Sequence, residues 1–209
     1  MFQQKLSSSV NCIAWAPWEY GLILAAGTAD GKIYIFSRNQ KDGQWNHQNF
    51  VAHREGVNGI SWGPSTEPAM LTKSSQNEDK RFSLPWKRIV SGGNDKQVKI
   101  WEFREGDLPP REQTIGQHDD WVRDVAWCSS IGLQFDMIAS CSEDKTCKVW
   151  KHDQKTKDRP WSDTKITFKE NVPLWKVSWS QVGNLLAVSG GDNQVHIMSE
   201  ETTGEWKEI

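Results

Sequence analysis

Four times along the chain an aspartate stands six residues before the bulky residue that closes a short apolar run: TADGKIYIF (28–36), GNDKQVKIW (93–101), SEDKTCKVW (142–150) and GGDNQVHIM (190–198). The aspartates are Asp30, Asp95, Asp144 and Asp192, and the closing residues are Phe36, Trp101, Trp150 and Met198. Successive closing residues lie 65, 49 and 48 positions apart. A repeat of that length is one supersecondary unit that cannot bury its apolar faces alone, so each copy must pack on its neighbour.

Every closing cassette has an opening one: VNCIAW (10–15), VNGISW (57–62), VRDVAW (122–127) and LWKVSW (174–179). Apolar residues alternate in each, as strands require. Between opener and closer runs a further strand: LILAAG (22–27), RIVSGG (88–93), MIASCS (137–142) and LLAVSGG (185–191). A more polar fourth follows at Trp45–Val51, Arg111–Ile115, Lys165–Phe168 and Trp206–Ile209, as befits a solvated outer edge. The chain therefore reads as all-β, four consecutive four-stranded units over 7–52, 53–117, 118–170 and 171–209, with 1–6 as the remnant of a preceding outer strand.

The aspartate reverses the chain between the second and third strands, where Asp and Gly tolerate the tight backbone. A buried carboxylate there needs partners. His53 and His118 each precede an opener's first valine by four residues, and Ser91 and Ser140 each precede the aspartate by four. The sets His53/Ser91/Asp95/Trp101 and His118/Ser140/Asp144/Trp150, on repeats of this period, resemble the hydrogen-bonded tetrads of WD40 β-propeller blades. The first and fourth units lack the histidine and serine, leaving Asp30 and Asp192 as turn aspartates with looser ties. Serine with histidine also suggests a hydrolase, but a nucleophile needs exposure and an oxyanion hole. A pair that recurs at the same offsets in two repeats is structural, so no enzyme activity is expected.

Thirteen tryptophans in 209 residues fit this reading, since Trp15, Trp62, Trp101, Trp127, Trp150 and Trp179 are strand positions and Trp45, Trp161 and Trp206 open outer strands. Trp18, Trp86, Trp121 and Trp175 are left over, and the last two neighbour openers where they could meet a partner. A net charge of −2 without a basic stripe argues against nucleic acid. No run is long and apolar enough for direct membrane insertion, and Met1–Leu6 lacks the apolar core of a signal peptide. Four cysteines without CxxC spacing and five scattered histidines call for no metal and no cofactor. Trp62 to Asp95 spans 33 residues against 15, 17 and 13 elsewhere, which places a long loop at about 63–86.

APWEYGLILAAGTADGKI (16–33), KRIVSGGNDKQVKIW (87–101), WVRDVAW (121–127) with SSIGL (129–133), and NLLAVSGGDNQV (184–195) resemble one family in particular. It is the WD40 propeller subunit shared by the COPII outer coat and the nuclear pore Y-complex (the SEC13 family), and the similarity runs from about residue 7 to 209. The resemblance implies an open, normally six-bladed propeller that lacks its first two blades here, as a fragment, a truncated isoform or a late-starting gene model. It also implies a non-catalytic scaffold of ER-to-Golgi vesicles, on the cytoplasmic side of the endoplasmic reticulum, and of the nuclear pore. The implied partners are the COPII α-solenoid subunit and a scaffold nucleoporin, each donating a blade, with a lysosomal nutrient-signalling complex as a third assembly.

Without its neighbour, the first unit's face (Val10, Ile13, Trp15, Leu24, Ile33, Ile35) is expected to meet water. On the last unit, Trp175, Trp179, Leu186, Val188, Val195 and Ile197 are the expected partner-contacting set. The alternative is a substrate receptor of a cullin–RING ubiquitin ligase, whose W-D-x-R motif Trp101-Glu-Phe-Arg104 approaches with one acidic swap.

Overall fold

Each aspartate cassette folds as a hairpin whose turn forces one residue into the left-handed region. In a computed structural model describing residues 3–39, 42–65, 86–104, 107, 109–129, 135–153 and 160–209, that residue follows the aspartate: Gly31 (φ 81°), Lys96 (68°), Lys145 (70°) and Asn193 (62°). The aspartate side chain stabilises the turn by accepting the backbone N–H two residues on, from Gln97 (3.2 Å), Thr146 (2.9 Å) and Gln194 (3.0 Å).

The strands assemble into four antiparallel sheets in chain order. The first holds β1 (Val10–Trp15), β2 (Ile23–Thr28), β3 (Lys32–Arg38) and β4 (Trp45–Val51), with a single 3-10 turn at Trp18–Tyr20. The second holds β5 (Val57–Trp62), β6 (Lys87–Gly93), β7 (Gln97–Phe103) and β8 (Arg111–Gln117). The third holds β9 (Val122–Trp127), β10 (Phe135–Ser142), β11 (Thr146–Asp153) and β12 (Ser162–Thr167). The fourth holds β13 (Leu174–Trp179), β14 (Leu185–Gly190), β15 (Val195–Glu200) and β16 (Trp206–Glu208). Residues 3–6, expected as an outer-strand remnant, form no strand. Of the expected loop, residues 66–85 lie outside the described residues, and Gly63 N donating to Arg88 O at 2.8 Å extends the β5–β6 ladder to its two ends.

The sheets stack face to face through their innermost strands, β1 on β5, β5 on β9 and β9 on β13. Asn11 Nδ2 donates to Val57 O (3.1 Å) and Asn58 Nδ2 to Val122 O (2.8 Å), which fixes the first two steps. Three apolar cores fill the gaps: Ala25, Ile33 and Ile35 against Val57, Ile89 and Trp101; Val90 and Ile100 against Val125 and Trp150; Cys141 and Val149 against Leu174 and Leu186. This is the open propeller-like architecture of a WD40 array. All four cysteines are thiols, although Cys141 and Cys147 face each other across β10 and β11.

One expectation about the first sheet is corrected. Ile33 and Ile35 are buried against the second sheet, because they pair with Gly27 and Ala25 on the inner face. The outer face belongs to the alternate register: Ile13 opposite Ala26, Trp15 opposite Leu24, and Leu24 opposite Phe36.

Candidate functional site

Both tetrads form as continuous relays. Trp101 Nε1 donates to Ser91 Oγ (2.8 Å), which lies 2.8 Å from His53 Nε2, while His53 Nδ1 lies 2.7 Å from Asp95 Oδ1. In the third sheet Trp150 Nε1 reaches Ser140 Oγ at 2.9 Å, Ser140 Oγ lies 2.8 Å from His118 Nε2, and His118 Nδ1 lies 2.8 Å from Asp144 Oδ2. The donors balance when the serine hydroxyl donates to Nε2 and the Nδ1–H donates to the carboxylate. Burial alone would raise Asp144, but bonds from His118, Thr146 and the Asp119 backbone outweigh it and hold the carboxyl far below its usual range. Asp95 is lowered on the same grounds, its helpers being His53 and the backbone of Gln97 and Arg54. Both serines are fully buried with their oxygens engaged, so neither can meet a substrate.

The first and fourth sheets satisfy their aspartates by local substitutes that sequence reasoning missed. Asp30 accepts from Thr28 Oγ1 (2.6 Å) and Ser7 Oγ (3.2 Å) and pairs with Lys32 Nζ at 2.9 Å. Asp192 Oδ2 lies 2.7 Å from His196 Nε2, and Glu208 Oε1 lies 2.7 Å from His196 Nδ1. The signal for this was a histidine four residues after the turn aspartate.

Ionised carboxylates only accept, so both His196 nitrogens must carry protons. Burial opposes that charge, yet Asp192 and Glu208 outweigh it and raise His196 above its ordinary value. A raised folded-state value stabilises fully below the unfolded value and is lost as pH rises through the folded one. We expect the melting temperature to fall by about 2–4 °C as pH rises from about 6 to about 9, for roughly 1 kcal/mol of charged hydrogen bond. Calorimetry across that range should show the fall in the native chain and its loss in His196→Gln; an equal fall in both would refute the assignment.

Two sheet faces are open. On the first sheet Ile13 is 64% exposed, Trp15 59% and Val10 48%. With Leu6, Leu24, Ala26, Phe36 and Trp45 they line an apolar groove of about 460 Å³. Two of Trp15's three covered structural repeats donate to the preceding sheet: Trp62 Nε1 to Ala14 O (2.9 Å) and Trp179 Nε1 to Ala126 O (3.1 Å).

The six residues expected as one partner-contacting set divide. Leu186 (0% exposed), Val188 (1%) and half-buried Trp179 face the third sheet. Val195 (67% exposed) and half-buried Ile197 lie on the opposite face, Ile197 beside Ala187. Both faces of a strand were apolar in sequence, and only the stacking order says which is covered. Trp175 stands apart: the Arg123 guanidinium lies 5.3 Å from its ring and 5.3 Å from that of Trp121. Arg104 of the motif-like segment lies over the Trp86 ring at 4.3 Å.

The WD domain, G-beta repeat family matches residues 2–37, 110–151 and 163–198. Each matched stretch takes in the three inner strands of one sheet, the first, third and fourth in turn. Across 97% of its length the chain is 41% identical to the protein transport protein sec13 of Aspergillus fumigatus and covers 63% of that relative. It is 43% identical to the sec13 protein of Emericella nidulans, over 97% of the chain and 62% of the relative. The SEC13 homolog of Drosophila melanogaster is 42% identical over 97% of the chain, which covers 55% of it. The chain thus spans less than two thirds of the length of these relatives.

Proposed function

The chain belongs to the WD40-repeat family, with Sec13 transport proteins as its homologues along nearly its whole length, and on that premise we propose that it is a scaffold of protein transport. Its role is non-catalytic: to hold an α-solenoid subunit of the COPII outer coat at the endoplasmic reticulum, and a scaffold nucleoporin at the nuclear pore. A lysosomal nutrient-signalling complex is a third assembly of the same kind. The observation that carries this reading is the pair of uncovered sheet faces, apolar at Ile13 and Trp15 on one flank and mixed on the other, where Val195 and Ile197 share the face with Lys176 and Ser178.

A face of this kind is completed by another sheet. At two of the three covered positions equivalent to Trp15, Trp62 and Trp179, a neighbouring inner strand offers a carbonyl to the indole. A donated blade supplies such backbone by strand addition and sheet packing.

The test is reconstitution with a purified α-solenoid coat subunit, read by co-elution and by titration. The native chain should form a stoichiometric complex. Val195→Asp with Ile197→Asp should weaken it at least about tenfold, since burying an unpaired carboxylate costs well over 1.4 kcal/mol. No complex with the native chain, or unchanged affinity in the double variant, would overturn the proposal.

A further inference from the structure

Away from the open faces, a cavity of about 800 Å³ lies between the second and third sheets. That volume falls in the range of small-ligand sites. Its walls include Trp86, Arg88, Trp127, His152 and Trp161. The rings are arranged rather than scattered. Trp127 and Trp161 meet nearly perpendicular (85°) with centroids 6.3 Å apart, and His152 stacks on Trp161 at 5.2 Å.

Two buried donors in this wall, Trp127 Nε1 and Arg88 Nε, have no hydrogen-bond partner among the described residues. Trp127 is only 6% exposed. Its repeats Trp62 and Trp179 donate to Ala14 O and Ala126 O on the preceding sheet. At Trp127 the preceding sheet instead presents Ser61, whose Oγ takes the Trp127 backbone N–H at 2.9 Å. An unmet buried donor is costly, and native structures keep few of them.

Several of the wall's charged groups are held in ion pairs, and Glu102 and Arg111 stand opposite each other across β7 and β8. Arg88 pairs with Asp136 (2.8 Å) and Glu112 with Lys99 (2.8 Å). A cationic or anionic ligand would have to compete with these neighbouring opposite charges. A neutral ligand with flat apolar surfaces and free carbonyls would not. The polyproline II helix is such a ligand: its pyrrolidine rings stack on aromatic faces, and it has no internal hydrogen bonds to occupy its carbonyls.

We propose that this inter-sheet cavity binds a proline-rich peptide segment, its rings against Trp161 and Trp86 and a backbone carbonyl drawn to the Trp127 indole N–H. The site is separate from the sheet faces invoked for blade donation, so it stands or falls independently of that reading.

The experiment titrates the full chain, labelled at its indole nitrogens, with a capped nine-residue polyproline peptide and with a glycine–serine peptide of equal length. The Trp127 and Trp161 indole resonances should shift saturably with polyproline alone. Trp161→Ala and Trp86→Ala should each weaken binding about tenfold; Trp86 is already partly exposed, so its variant keeps the test open if the other fails to fold. Absence of shifts at about 1 mM peptide, where even weak recognition registers, would overturn the proposal. So would equal shifts with the glycine–serine peptide, shifts confined to the Trp15 face, or unchanged affinity in both variants.

Discussion

Replacing Trp150 by alanine is expected to lower the unfolding free energy by about 4 kcal/mol. Trp150 is 3% exposed and fills the gap between the second and third sheets. Its ring packs so tightly on Gly116 that a Cβ there would sit 2.3 Å from a ring carbon. Truncation opens a cavity that rigid sheets cannot close, and it also removes the donor that Ser140 receives. Because Ser140 in turn orients His118, and His118 holds Asp144, the loss propagates to the turn. Trp150→Phe separates the two contributions. It keeps an aromatic ring in the gap but loses the N–H and part of the indole, so it should cost less, about 2 kcal/mol. Urea unfolding of both variants measures the difference, and equal losses would show that the relay, not packing, governs the site.

The second large effect is expected at Gly31. Its φ of 81° already disfavours a side chain, at about 1 kcal/mol for alanine. A Cβ would also lie 2.2 Å from His53 O and 2.8 Å from Glu55 O, backbone atoms that cannot swing aside. Gly31 O meanwhile accepts the N–H groups of Ala52 and His53 at 2.8 and 3.0 Å, which ties the first turn to the segment entering the second sheet. Gly31→Ala should therefore cost about 3 kcal/mol in all, strain plus overpacking. Thermal unfolding checks it, and a loss below about 1 kcal/mol would mean the segment around His53 yields freely. Lys96 and Lys145 occupy the same turn position at φ 68° and 70°. They show that the turn alone accepts a side chain, and that the collision with His53 is what demands glycine.

Much of this architecture was legible because strand periodicity and the turn aspartate report local backbone. The openers became β1, β5, β9 and β13 at their expected limits. The tetrads were legible because a donor relay needs fixed spacings, and the spacings around Asp95 and Asp144 are equal. Period alone could not assign the faces. Ile33 and Phe36 are both apolar, and only the order in which sheets stack puts Ile33 inside and the Phe36 register outside. The polar outer strands were hardest to place. β12 runs Ser162–Thr167, three residues earlier than Lys165, because ladder pairing to β11 rather than hydrophobicity defines it. His196 was missed as a partner of Asp192 because it reaches the aspartate from the third strand, whereas His53 and His118 come from before the first.

The four thiols acquire a gate from the way the sheets stack. Burial lifts Cys12 to about 12 and Cys128 to about 11, and pushes Cys141 and Cys147 well above the free value. At neutral pH almost none is thiolate, the only form that reacts. Alkylation and oxidation must therefore wait for blades to part. A modified Cys12 dates the separation of the first two blades, and a modified Cys141 or Cys147 that of the last two.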